Sequence, residues 1–166
     1  MPRIEFSVDS DVPPERVLAA ATDFTEHRPE LWPNVSRRFY KVHDRGEGWC
    51  ECTEGSDVAG GIWARERYEW TGTTIRGTVQ DSNVFRHGTW ELRAEPNGRG
   101  GSRITVVNDR APKGKGLLFA PMMMVAGKKI LAGHLQKTLA LIAQQPAGSA
   151  LHGEDDRGRD IGRRRG

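Results

Sequence analysis

Alternating apolar and polar residues run through most of the first 109 positions of the chain. Ile4, Phe6 and Val8 alternate with polar neighbours, which predicts a first strand with one buried face. Because no crossover helix joins successive strands, we predict antiparallel pairing throughout. Six further segments show the strand pattern between loops rich in Gly, Asn and Asp, at residues 39–44, 49–54, 62–70, 73–80, 88–94 and 102–109.

Two short helices are predicted between the first and second strands. Pro13 and Pro14 suit a first helical turn, and the apolar spacing that follows extends to about Thr22. A second short helix is predicted over residues 26–31, because the dipeptide Trp32-Pro33 ends it.

The most apolar stretch of the chain is Gly116–Gln144, which predicts one long helix near the C-terminus. Pro121 lacks an amide hydrogen, so we predict a kink or a restart of the helix there. An apolar stripe on this helix needs a covering sheet, so we predict an α+β fold in which a curved antiparallel sheet surrounds the helix. The stripe consists of Leu117, Ala120, Met124, Gly127, Leu131, Leu135, Thr138 and Ile142.

Length and charge refine this picture. A chain of 166 residues accommodates one domain with a real core, which we place at residues 1–145. The formal net charge of +3 is too small to indicate nucleic-acid binding. Residues 146–166 combine charges of both signs with almost no apolar residue, so we predict a disordered charged tail.

Other features narrow the chemistry and the location. Cys50 and Cys52 lie two apart on a predicted strand, where they are poorly placed to form a disulfide, so we expect free thiols. We find no secretion signal and no apolar run of 18 residues, so we expect a cytoplasmic protein without a membrane span. The usual nucleotide and metal motifs are missing from the sequence, so we predict no cofactor and no metal site.

Glu66 is the best catalytic candidate. Alternation over residues 62–70 puts Glu66 on the same, more apolar face as Tyr68. A carboxylate that points into an apolar interior has a raised pKa, which suits proton transfer. The alternative is that Glu66 pairs with an Arg on a neighbouring strand or lies at an open rim, because structural ion pairs are the commoner explanation.

Small and large residues alternate on the apolar stripe of the long helix. Ala120 and Gly127 are small whereas Met124 and Leu131 are large, which leaves room for an apolar ligand between helix and sheet. The alternative is a filled core, in which the small residues let the sheet approach and the methionines fill gaps. His134 lies on the flank of the stripe, where a surface or half-buried histidine is expected.

The order of elements resembles the SRPBCC, or START-like, superfamily, and within it the bacterial polyketide cyclase/dehydrase and lipid-transport group. The resemblance covers about residues 4–143 and is carried by the phrases VPPERVLAAATDF, LWPNVSRRFYKVH, GIWARERYEW, VQDSNVFRHGTWELR and GGSRITVVNDR. It implies a helix-grip fold, in which a seven-stranded antiparallel sheet wraps around the C-terminal helix and a hydrophobic cavity lies between them. Members of this superfamily range from carriers to aromatase/cyclases, so the resemblance implies the fold more firmly than the function.

These patterns lead to two main functional hypotheses and a third possibility. The first is a binding protein, a carrier or sensor, for a small hydrophobic molecule such as a lipid or a polyketide-like compound. The second is a polyketide cyclase/dehydrase-type enzyme, in which Glu66 is the acid or base and Tyr68 holds a carbonyl or enolate oxygen. A third possibility is an interaction module that docks through the tail or through residues 81–87. The residues predicted near the cavity are Ile62, Ala64, Glu66, Tyr68, Trp70, Trp90, Leu92, Met124, Gly127, Leu131 and Leu135.

Overall fold

The computed structural model describes residues 3–146 and contains one seven-stranded antiparallel sheet. The strands are β1 (Ile4–Ser10), β2 (Lys41–Gly46), β3 (Trp49–Ser56), β4 (Ile62–Thr71), β5 (Thr74–Ser82), β6 (Phe85–Pro96) and β7 (Ser102–Pro112). Their spatial order is β1-β7-β6-β5-β4-β3-β2, so β1 and β2 form the two edges of the sheet.

Three α-helices accompany the sheet, namely α1 (Pro14–Thr22), α2 (Arg28–Leu31) and α3 (Gly116–Gln144). α1 and α2 connect β1 to β2, and α3 follows β7. The predicted α+β fold, with two short helices after the first strand and a long C-terminal helix, is therefore confirmed. The predicted disordered tail lies, apart from Pro146, outside the described residues.

The strand β6 begins three residues earlier than predicted, because the turn before it is tight. The Oγ atom of Ser82 accepts hydrogen bonds from the backbone amides of Val84 and Phe85, at 3.0 and 3.1 Å. The same hydroxyl donates to the carbonyl oxygen of Trp63 on β4, at 2.7 Å. The hydrogen bonds of one serine side chain thus stabilise a compact turn, where a longer loop was predicted from the sequence.

Local irregularities bend the sheet into a concave surface. The pairing register shifts between Arg65 and Glu66 where β4 meets β5, and between Phe85 and His87 where β6 meets β7. Such bulges increase the local twist and bend a strand. As a result, the inner face of β4 lies opposite the inner face of β7, although β5 and β6 lie between them in the sheet.

The core lies between the concave face of the sheet and the helices. Val17 and Ala21 of α1 are buried together with Ile75 of β5 and Leu92 of β6, and these residues belong to one apolar cluster. The two cysteines also belong to this cluster and are free thiols, as expected.

Only the second half of α3 carries the predicted buried stripe in full. Leu135, Thr138, Leu139 and Ile142 are all buried there, against the sheet and α1. Leu139, which the predicted stripe omitted, is among them.

The first half of α3 contradicts the predicted stripe at two positions. Leu117 and Met124 are 59% and 63% exposed, because the buried line at this end runs instead through Gly116 and Met123. A shift of one residue rotates a side chain by about 100° around a helix, which is enough to move it from the core side to the solvent side.

Pro121 lies inside a single uninterrupted helix, so the predicted restart of the helix is wrong. A proline removes one hydrogen bond to the carbonyl four residues earlier. That carbonyl belongs to Leu117, a residue that is 59% exposed.

The apolar composition of α3 bears on the expectation that the chain has no membrane span. α3 contains an 18-residue window with a mean hydropathy of 1.3, which by length and composition alone matches a membrane-spanning helix. The core helix of a soluble fold satisfies the same criterion, and the second half of α3 packs against β1, β7 and α1 as a core helix does.

We predict that Leu139→Ala lowers the free energy of unfolding by about 2–5 kcal/mol, because it leaves a cavity in the core. Met124→Ala should change that free energy by less than about 0.5 kcal/mol, since its side chain meets solvent. Urea denaturation followed by circular dichroism measures both variants. Equal losses of stability in the two variants would contradict this assignment of the faces of α3.

Candidate ligand cavity

A cavity of about 130 Å³ lies between the concave face of the sheet, the segment around α2, and α3. The apolar part of its wall is formed by Phe6, Trp32, Val35, Trp90, Val106, Leu131 and Leu135. The polar part is formed by Arg28, Asn34, Glu54, Tyr68, Arg110 and His134. The wall therefore combines aromatic surface with several hydrogen-bonding groups.

A buried ion pair crosses the concave face beside this cavity. Nη2 of Arg110 on β7 donates to Oε2 of Glu66 on β4, at 2.8 Å, and lies 2.5 Å from Oε1 of the same carboxylate. Glu66 is 2% exposed, so the guanidinium stabilises a carboxylate that water does not reach. The two residues lie three strands apart in the sheet, and only its curvature brings them together.

Gly77 on β5 makes space for the side chains that lie across it. A Cβ atom at this position would lie 2.7 Å from both Oε2 of Glu66 and Cε1 of Tyr68. Any other residue would therefore displace the carboxylate or the phenol ring. The glycine permits Glu66 to point along the inner surface towards β7.

A second buried ion pair supports the opposite wall of the cavity. Nε of Arg28 on α2 donates to Oε1 of Glu54 on β3, and Nη1 of Arg28 donates to the carbonyl oxygens of Ala21 and Asp23 at 2.9 and 3.2 Å. The hydroxyl of Tyr68 donates to the other oxygen of Glu54, at 3.0 Å. This network fixes α2 to the sheet and holds the Tyr68 hydroxyl in one orientation.

Burial and neighbouring charges set the protonation of these groups. Burial raises the pKa of Tyr68 well above its ordinary value, and the carboxylates of Glu54 and Glu66 raise it further. Burial is the largest single effect on the pKa of Arg28 and lowers it, but the negative charge of Glu54, together with Tyr68, Cys52 and the hydrogen bond to Glu54, outweighs burial and raises that pKa above its ordinary value. At neutral pH Tyr68 is therefore a hydrogen-bond donor and not a base.

His134 on α3 lies at the exposed edge of the cavity. Partial burial lowers its pKa, and the nearby charge of Lys137 lowers it further, so the imidazole is neutral at pH 7. A neutral imidazole presents one donor and one acceptor nitrogen to a ligand at this edge.

Aromatic rings pack edge to face along the cavity wall. The ring of Trp90 lies 6.4 Å from that of Trp32 and 6.3 Å from that of Tyr68, with near-perpendicular planes. Phe24 packs behind Tyr68 at 5.0 Å and lies under the guanidinium of Arg28 at 4.2 Å. These contacts hold the rings in fixed positions and present a rigid aromatic surface.

The structure divides the predicted site residues into three groups. Tyr68, Trp90, Leu131 and Leu135 line the cavity. Glu66 lies next to the wall but behind Arg110, so only the guanidinium of the pair meets the cavity. The remaining six residues do not line this cavity. Among those on the strands, Ala64 and Leu92 are buried, and Ile62 and Trp70 are half-buried. Met124 and Gly127 lie elsewhere on α3.

Two residues of α3 were wrongly placed at the cavity. Met124 is exposed, because it lies on the outer side of the helix. Gly127 is buried, but a Cβ atom there would lie 2.7 Å from Cδ1 of Ile4, so the glycine lets β1 approach α3 closely and leaves no space for a ligand.

Three charged residues of the wall were not predicted. Glu54 lies on the same inner face of β3 as Cys50 and Cys52, so strand alternation would have placed it in the cavity wall. Arg110 continues the inner face of β7, but the predicted strand ended one residue before it. Arg28 lies on a four-residue helix, whose sequence gives no periodicity to follow.

Among residues 3–146, no group of three or more His, Cys, Asp or Glu side chains is arranged to hold a metal ion.

A family model agrees with this architecture. The model described as polyketide cyclase / dehydrase and lipid transport matches residues 1–145. No curated protein has a sequence that matches this chain significantly.

Solved structures share the fold at low sequence identity. The aromatase/cyclase Zhui from Streptomyces sp. R1128 superposes with a TM-score of 0.74 at 14% identity, over 90% of this chain and 99% of that one. TTHA0849 from Thermus thermophilus gives 0.71 at 17% identity, over 86% and 97%. Human STARD10 gives 0.66 at 13% identity, over 86% and 63%. Likeness at this level of identity shows the fold and leaves the function open.

We predict that Arg110→Met and Glu66→Leu each lower the free energy of unfolding by about 3–5 kcal/mol, because each leaves one buried charge unpaired. The double variant should lose much less than the sum of the two, since it removes both charges. Urea denaturation of the four proteins gives the coupling energy.

The exposed pair of Asp9 and Arg103 provides a control for this cycle. Arg103→Met should cost less than about 1 kcal/mol, because water screens a surface pair. Additive losses at Glu66 and Arg110 would show that the two side chains do not interact.

Proposed function

Because the chain belongs to the polyketide cyclase/dehydrase and lipid transport family, we propose that it is a carrier or sensor that binds a small hydrophobic molecule, such as a lipid or a polyketide-like compound. The binding site is the cavity between the sheet and α3. Action in the cytoplasm stays a prediction from the sequence.

One observation carries this proposal. The Nε atom of Arg110, in the cavity wall, is buried and has no hydrogen-bond partner among the described residues. A buried donor without an acceptor costs about 1–3 kcal/mol, and an oxygen atom of a ligand would remove that cost. The wall thus contains a guanidinium with one unsatisfied donor, which a ligand oxygen reaches only after a movement of the side chain, next to a rigid aromatic surface.

The lining favours a polyketide-like ligand over a plain acyl chain. Trp32, Trp90 and Tyr68 offer ring surfaces, while Arg110, His134 and Asn34 offer hydrogen bonds. Aromatic rings with hydroxyl or carbonyl groups match both kinds of surface, whereas a saturated chain leaves the polar groups unpaired.

The size of the cavity adds a condition. At about 130 Å³ it is smaller than the ~300–1,000 Å³ of typical ligand pockets. A ligand of two or more fused rings therefore requires outward movement of part of the wall. α3 contributes Leu131, His134 and Leu135 to that wall from one continuous element, so a displacement of α3 would enlarge the cavity most directly.

We predict that Leu131→Trp weakens binding of 1-naphthol and of a hydroxyanthraquinone by at least about tenfold, because the indole occupies the cavity. Gln136→Trp is the matched control, since it adds the same ring to an exposed position of α3. Isothermal titration calorimetry measures both, with palmitate as the acyl-chain probe. Failure of every probe to bind, or equal binding by the two variants, would refute the proposed site.

A second candidate function is cyclisation or dehydration of a polyketide-like chain with Glu66 as acid or base. The observation in its favour is the presence of two buried ion pairs beside the cavity, because buried charges cost desolvation energy that an apolar carrier would avoid. In this candidate Glu66 parts from Arg110 to reach the cavity, and Arg110 binds a developing enolate oxygen. Tyr68, which stays protonated, donates to that oxygen after giving up its hydrogen bond to Glu54.

If Glu66 is the acid or base, Glu66→Gln should lower kcat for a poly-β-ketone substrate by about 10²–10⁴-fold and leave binding of the hydroxyanthraquinone nearly unchanged. Glu69→Gln on the exposed side of β4 is the matched control. Product formation is followed by liquid chromatography, and urea denaturation confirms that the variant is folded. Turnover by Glu66→Gln at the rate of the control would exclude this role of Glu66.

A further inference from the structure

The first half of α3 presents apolar side chains to solvent. Only 11% of the most apolar 18-residue window of the helix is buried. Val125 and Leu118 are 91% and 78% exposed. We call this surface the apolar ridge; it consists of Leu117, Leu118, Met122, Met124 and Val125. Contiguous exposed apolar surface of this kind marks a contact site.

The loop between β3 and β4 lies beside the start of α3. A Cβ atom built on Gly60 of this loop would lie 3.9 Å from Nζ of Lys115. Val58 of the same loop is 59% exposed, so the loop adds an exposed apolar side chain on the side of the molecule where α3 begins.

The charges that flank the ridge along α3 all have the same sign, and the exposed Asp57 of the β3–β4 loop lies 3.8 Å from Arg38. From Arg110 to Pro146 the sequence contains no Asp or Glu. Lys113 and Lys115 precede the ridge, and Lys128 and Lys129 follow it within one turn of the helix. A binding partner must therefore accept apolar side chains in its middle and cations at both ends.

This charge pattern disfavours a second copy of the chain as the partner. A two-fold symmetric contact through the ridge would place the lysines of one copy next to those of the other. Like charges held together in this way destabilise a contact. A partner with a negatively charged surface would not repel these lysines.

We propose that the apolar ridge docks the protein onto an anionic lipid membrane, with the first half of α3 lying in the plane of the interface. Leu118, Met122 and Val125 enter the boundary between headgroups and acyl chains, and the flanking lysines contact lipid phosphates. This arrangement is that of an interfacial helix with an apolar face and basic flanks. The second half of α3 stays packed on the sheet, so the helix does not cross the bilayer.

Cosedimentation of the full chain with lipid vesicles tests this proposal. We expect binding to phosphatidylcholine vesicles that contain about 30% phosphatidylglycerol, and much weaker binding to pure phosphatidylcholine, because each lysine near an anionic surface contributes about fivefold to affinity. Binding should also fall as the salt concentration rises.

Two double variants separate the apolar from the electrostatic contribution. Leu118→Asp with Val125→Asp, and Lys128→Glu with Lys129→Glu, should each reduce binding to the anionic vesicles by at least about tenfold. Lys41→Glu with Arg45→Glu on the exposed edge strand β2 makes the same change of charge and should stay within about twofold. The proposal is overturned if the wild-type chain does not bind, or if both ridge variants bind like this control.

An environment-sensitive dye on Val125→Cys identifies what covers the ridge. The native thiols of Cys50 and Cys52 are buried, so labelling is directed to the new cysteine. We expect a blue shift of the emission only when anionic vesicles are added. A blue shift that grows with protein concentration alone would identify a second copy, and a blue shift in the dilute free chain would identify another part of the same chain. Either of these results overturns the membrane assignment.

Discussion

The ion pair between Glu66 and Arg110 is the interaction on which the interior of this protein depends. It connects two strands that the sheet separates by two others, so it exists only in a strongly curved sheet. Bulges provide that curvature, and Gly77 leaves the inner surface clear for the carboxylate. The pair places fixed polar groups in the interior, and the cavity lies beside one of them, Arg110.

The two buried ion pairs stabilise two walls of the cavity. Nε and Nη1 of Arg28 donate to Glu54 and to two backbone carbonyls, so these bonds attach α2 to the sheet. Nη2 of Arg110 donates to Glu66, whereas its buried Nε has no partner among the described residues. Each guanidinium thus joins two elements of the fold through a carboxylate, and both lie in the wall of the same cavity.

Much of the fold could be predicted from the sequence, because alternation and turn residues are local signals. The inner face of β4, with Glu66 and Tyr68 side by side, followed from alternation alone. The partner of Glu66 did not, because the pairing with Arg110 depends on curvature, and curvature arises from bulges that leave no clear mark in the sequence. The stripe on α3 was correct at Leu135 and wrong at Met124, since a long apolar helix offers several faces and the sheet covers only part of its length.

The uneven distribution of charge along the chain has a consequence for how the protein meets its surroundings. Residues 1–109 carry 14 Lys and Arg against 18 Asp and Glu, a net charge of −4, whereas residues 110–146 carry 6 Lys and Arg and no acid, a net charge of +6. Most of residues 110–146 form α3, so part of this separation along the chain is also a separation in space, which gives the molecule an electric dipole moment. In the field of an anionic surface it rotates before contact, within about one Debye length of ~8 Å at physiological salt. The orientation of first encounter is thus encoded in the order of charges along the chain, independently of any side-chain contact.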